Sequence, residues 1–146
     1  DLDQEIGQQN VRRVLSLGEA KPLYAGAASQ VLMSGLTDSE IDDYLSRIPL
    51  IKLAENTITD PQELRQILAR IRREGFAESF QQQSDQGGAG IAAGIFDARR
   101  QMVGAIGVSV PQYRFTPTLR SKLIPVVMAA ANKISLVLGG RGRMIA

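Results

Sequence analysis

Between Gly90 and Ser109, two short apolar runs place nearly all their small residues on one face of an extended chain and nearly all their bulk on the other. The runs cover residues 90–96 and 102–109, and the polar stretch 97–101 between them reads as a β-hairpin turn. Gly90, Ala92 and Gly94 share one face of the first strand, and Ala105, Gly107 and Ser109 share one face of the second. The two sets face the same way only if the loop holds an even number of residues, such as four with Gln101 already in the strand. A five-residue loop sets them on opposite faces. We expect the even loop, which leaves Ile91, Ile95, Met102, Ile106 and Val108 as an ordinary core surface. A face of small residues fits two structures: a ligand cavity, or a helix packed closely on the sheet.

Composition narrows the classes. With 146 residues and 44% hydrophobic content the chain suits one domain with a real core. The formal net charge of +2 is small, and the basic residues are scattered or near the C-terminus, so they form no nucleic-acid stripe. Without cysteine there is no disulfide, thiol nucleophile or thiolate metal site. Without histidine there is no Ser-His triad, imidazole base or His-rich metal cage. We therefore expect no enzyme, no cofactor and no metal. No run is long enough to span a membrane and no signal peptide is evident, which makes the cytoplasm the expected location.

Helix and strand signals are mixed along the chain, without repeats or low-complexity segments. Residues 1–10 form a loose amino-terminal segment, 11–138 the domain proper and 139–146 a tail. Residues 11–17 suggest a strand through Leu15 and Leu17, and 24–34 a helix ending at Gly35. Thr37 and Glu40 form a capping box ahead of Ile41, Tyr44, Leu45 and Ile48, one stripe at helical spacing. Asp60 and Pro61 open another helix with Leu64, Ile67, Leu68 and Ile71 buried, closed by Gly75. A strand over 76–80 leads into a glutamine- and glycine-rich loop over 81–88, a candidate lid. Thr116 and Pro117 start a long helix reaching Leu138, with Pro125 inside it.

Several chemical motifs fail on context. Gly88, Gly90 and Gly94 approach a dinucleotide fingerprint, but a polar loop precedes them and a strand follows. Asp38, Glu40, Asp42 and Asp43 are explained by capping and solvent, Asp97 by the turn, and the arginines 65, 70, 72 and 73 by a solvated helix face. Arg141 and Arg143 suit a disordered end better than a phosphate site.

The stretches 22–28 (PLYAGAA), 56–60 (NTITD), 75–77 (GFA), 90–97 (GIAAGIFD) and 105–111 (AIGVSVP) occur in an order and spacing that resemble the effector-binding domain of IclR-family bacterial transcriptional regulators. The resemblance runs from about Leu15 to Leu138. It implies an α+β fold, a GAF/PAS-like antiparallel sheet flanked by helices, here lacking its amino-terminal helix and first hairpin. Such a domain binds a small organic effector, forms dimers or tetramers, and reaches DNA only through a separate helix-turn-helix domain absent from this sequence.

Members of the family that sense small oxoacids place a Cys at Gly90, Ser at Gly107 and Ser109, an acidic residue near Ser79, and backbone amides around Ala25, Gly26 and Ala27. Only Ser109 keeps its polar group here. The resemblance thus implies a pocket walled by Leu15, Leu17 and Tyr24 and deepened by Gly90, Ala92 and Gly107, with Ser109 orienting an effector larger and less polar than glyoxylate or pyruvate, such as an aromatic compound. Two rivals stand beside it: an oligomerisation module whose small-residue face is filled by a helix, and an enzyme using Glu78, Ser79 or Asp85.

Overall fold

The computed structural model describes residues 2–8, 17–18, 20–83 and 88–140. Its order is α1 (Ala27–Ser34), α2 (Asp38–Arg47), α3 (Pro61–Glu74), β1 (Phe76–Phe80), β2 (Gly88–Phe96), β3 (Met102–Pro111), a 3-10 turn (Gln112–Arg114) and α4 (Pro117–Val137). The strands form an antiparallel sheet in the order β1-β2-β3.

Local chemistry accounts for most boundaries. The Thr37 side chain accepts from the Glu40 amide, and the Glu40 carboxylate accepts from the Thr37 amide, so the capping box is complete. The Asp60 carboxylate accepts from the Gln62 amide beside Pro61, and Gly75, left-handed at φ 89°, ends α3. Asp97 is the turn residue expected, accepting from the Arg99 and Gln101 amides. Two expectations shift. α1 begins at Ala27 rather than near residue 24, because Gly26 takes φ 93°, outside helical space. Ile48 is the extended C-cap of α2 and stands exposed rather than on its buried stripe.

The hairpin corrects one expectation and upholds another. Its loop is residues 97–101, an odd count, closed by the Asp97 amide to the Gln101 carbonyl. Even so, Gly90 pairs with Ser109, Ala92 with Gly107 and Gly94 with Ala105, so the small sets share a face. A bulge reconciles the two: Ile95 pairs with Gly104 but Phe96 with Met102, which leaves Val103 as the extra residue that restores the parity. The same bulge moves Met102 to the small-residue side, where it packs with the core containing Ala92 and Ala105, not with the isoleucines.

Helices cover both faces. On the small-residue face, α1, backed by α3, builds a core from Ala27, Val31, Met33, Leu64, Leu68, Ile71, Ala77 and Ala92. On the other, α4 packs Val127 and Ala131 against Ile91, Ala93, Ile95, Ile106 and Val108. The strand expected over 11–17 lies outside the described residues except for Leu17.

Candidate functional site

The amino terminus of α1 sits over the β1–β2 junction. Its first amides lack intrahelical partners, as at any helix start, and here two side chains from β1 and the segment after it serve them. The Ala27 amide donates to Ser79 Oγ at 3.0 Å, and the Gly26 amide donates to Gln82 Oε1 at 3.1 Å. Gln82 Oε1 also accepts from Gln30 Nε2 at 2.8 Å, and Gln83 Nε2 donates to the Ala25 carbonyl at 2.7 Å. The Gln82 backbone is anchored too, its carbonyl accepting from Thr57 Oγ1 at 2.7 Å. Beneath this cluster, a β-carbon added at Gly90 would lie 3.6 Å from Ser79 Oγ and 3.7 Å from the Ala27 β-carbon. Glycine at position 90 lets helix and strand come this close.

Seven of the residues expected at the site come together here: Tyr24, Ala25, Gly26, Ala27, Ser79, Gly90 and Ala92. Tyr24 belongs more to the core than to a pocket wall; it is buried, and its hydroxyl accepts from the Ile51 amide and donates to the Ile51 carbonyl. Gly107 and Ser109 lie beside Gly90 and Ala92 on β3, where they stand exposed. Leu17 lies in an exposed turn and walls nothing among the described residues. Leu15 and Asp85 lie outside the described residues. Close packing and openness thus divide the small-residue face: β2 is covered, and β3 is bare at Gly107 and Ser109.

Two cavities flank the arrangement. One of 470 Å³ lies beside Ser79 and Gln82 and is also lined by Thr57, Glu63, Glu78 and Phe115. The other, 630 Å³, lies at the far end of α1, between Ser34, Gly35, Met102, Asn132 and Ser135. Ser79 is the one expected site residue that lines either.

Electrostatics give little support to acid–base chemistry. Glu78 is bound by Arg120 through both carboxylate oxygens, at 2.6 and 2.9 Å. These hydrogen bonds hold its carboxyl below the usual range, against the upward push of burial. Burial raises the Tyr44 phenol, whose oxygen accepts from the Leu23 amide. No acidic cluster suited to a metal exists among the described residues, and none of their helices is long and apolar enough to cross a membrane. Sequence reasoning missed Gln30, Gln82 and Gln83. The run of glutamines at 81–83 was the available signal, but its partners lie more than fifty residues away.

Residues 2–136 match the family described as bacterial transcriptional regulator IclR C-terminal. The chain belongs to the IclR family. It is 34% identical over 133 residues to the transcriptional regulator KipR of Bacillus subtilis, covering 91% of this chain and 53% of KipR. It thus spans about half the length of the curated relatives it matches. A transcriptional regulator from Rhodococcus sp. RHA1 superposes with a TM-score of 0.86 at 29% identity, covering 95% of this chain and 56% of that one. A double mutant of the PobR inducer-binding domain from Acinetobacter, in complex with 3-hydroxybenzoic acid, shares the fold with a TM-score of 0.76 at 23% identity, covering 82% of this chain and 70% of that one. The α+β architecture expected from the sequence is the architecture of these IclR domains, and the chain is an effector-binding domain of that family. The relatives named are transcriptional regulators and not enzymes, in line with the expectation for this chain.

Proposed function

We propose that this domain senses a small organic effector, larger and less polar than glyoxylate or pyruvate, at the amino terminus of α1. The carrying observation is that the Gly26 and Ala27 amides converge beside Gly90 and are held only by side chains, next to a β3 face left open at Gly107 and Ser109. Side-chain partners can be exchanged for a ligand oxygen, and a helix start favours a carboxylate or carbonyl there. Neither Gly90 nor Gly107 brings a polar anchor, and the face left open at Gly107 and Ser109 favours an aromatic or other apolar body. PobR, of the same fold, is seen with an aromatic acid. In the intact regulator, occupancy would alter DNA binding by a separate helix-turn-helix domain in the cytoplasm.

Calorimetric titration with benzoate, 4-hydroxybenzoate, phenol, glyoxylate and pyruvate tests the reading. Binding by an aromatic compound and not by the oxoacids is expected; tight oxoacid binding with no aromatic binding overturns it. A second role, homo-oligomerisation, is supported by the exposed Val126, Leu136 and Val137 on α4. Light scattering should then give at least a dimer, and a monomer at high concentration excludes it.

A further inference from the structure

Gln82 presents a carboxamide oxygen to two donors at once, the Gly26 amide and Gln30 Nε2. We propose that this side chain stands in for the anchoring oxygen of the effector, so that an effector enters by displacing it and the affinity of the domain is set by the strength of this internal competitor. The inference rests on the site reading above and adds how that site is regulated.

Three observations carry it. First, the segment reaches the site in a constrained form: Gln81 holds φ 47°, which a side chain adopts at a cost, and Gln83 packs where a β-carbon on Gly26 would lie, 2.5 Å from its Nε2. Second, the substitution is incomplete. Gln30 Nε2 donates to the Tyr24 carbonyl as well as to Gln82, which fixes the orientation of its amide, and leaves Gln30 Oε1 fully buried with no partner. Gln82 caps the donors of the cluster and leaves its acceptor unserved. A ligand bearing an acceptor oxygen and a hydroxyl can serve both. Third, a carboxylate in place of the neutral Gln82 oxygen makes charge-assisted bonds to the same two donors, which are shorter and stronger. The Gln82 carbonyl remains on Thr57 after its side chain leaves, so displacement needs a side-chain rotation and not an unfolded segment.

The expected consequence is opposite shifts for two substitutions at one position. With 2-hydroxybenzoate as probe, Gln82→Ala should bind at least about threefold tighter than the natural chain, because no population is held closed. Gln82→Glu should bind at least about threefold weaker, because a carboxylate competes better for the amides. The Gly26 amide resonance reports both the titration and its location. In the absence of probe, hydrogen exchange at that amide should be faster in Gln82→Ala. Dissociation constants in the order Ala, Gln, Glu, from tightest to weakest, support the proposal; any other order overturns it. If the resonance shifts with equal affinity in all three chains, the competitor fails while the site stands. If 2-hydroxybenzoate moves the Gly26 resonance in none of them, the site reading fails as well.

Discussion

The hairpin of β2 and β3 meets a helix on each face, and the two contacts are built from opposite materials. Against α4 it presents Ile91, Ile95, Ile106 and Val108, which fill the interface with bulk. Against α1 it presents Gly90 and Ala92, so the helix approaches closely, and at its start the Gly26 and Ala27 amides donate to Gln82 and Ser79. Apolar burial holds the domain together on both faces, and on the small face only the amino terminus of α1 is fixed by exchangeable polar contacts, which is what a ligand site in a stable domain requires. Ile91→Ala tests the first half: Ile91 is fully buried, and its truncation should destabilise the domain by about 2–5 kcal/mol in chemical denaturation. A loss below about 1 kcal/mol would mean that α4 does not depend on this face.

The bare part of the small-residue face is less permissive than its exposure suggests. A β-carbon at Gly107 would lie 2.8 Å from the Ile91 carbonyl oxygen and 3.1 Å from the Ala92 β-carbon, so backbone must move to admit it. Gly107→Leu is therefore expected to strain the sheet by about 1–3 kcal/mol, besides blocking the site. Unchanged thermal unfolding would show that β3 yields freely and that glycine is needed there for space alone.

The difference between the faces also explains what could be read from sequence. Bulk at helical or strand spacing announces itself, so the stripe Leu64, Leu68 and Ile71 and the face with Ile91 and Ile106 were legible, as were the caps at Thr37 and Asp60, whose partners lie within three residues. The bulge was not. Counting loop residues predicts facing only while every residue pairs, and Val103 pairs with none. The start of α1 was hidden for a related reason: the chain near Tyr24 favours helix locally, but Gly26 turns out of it where Gln82 and Ser79 take its amides. That decision is made by contacts across more than fifty residues, and no local pattern encodes it. The family resemblance located the neighbourhood of the site, and the glutamines that occupy it became visible only in three dimensions.

The smallest expected effect concerns the ion pair that joins β1 to α4. Glu78 on β1 faces α4, where Arg120 holds it, while its neighbour Ser79 faces α1. Hydrogen bonding to Arg120 lowers the Glu78 carboxyl in the folded chain, so folding favours its ionised form. The stability gained is complete above the unfolded value of about 4.3 and is lost as pH falls through the lower folded value. Since the pair is partly solvated, its contribution at neutral pH should be no more than about 1 kcal/mol. Glu78→Gln should accordingly melt slightly below the natural chain at pH 7, and the gap should narrow as the pH falls below the unfolded value of about 4.3. A gap that persists in acid would assign the loss to packing. The comparison would then need revision, because β1 would be held to α4 by volume, like its neighbours, and not by charge.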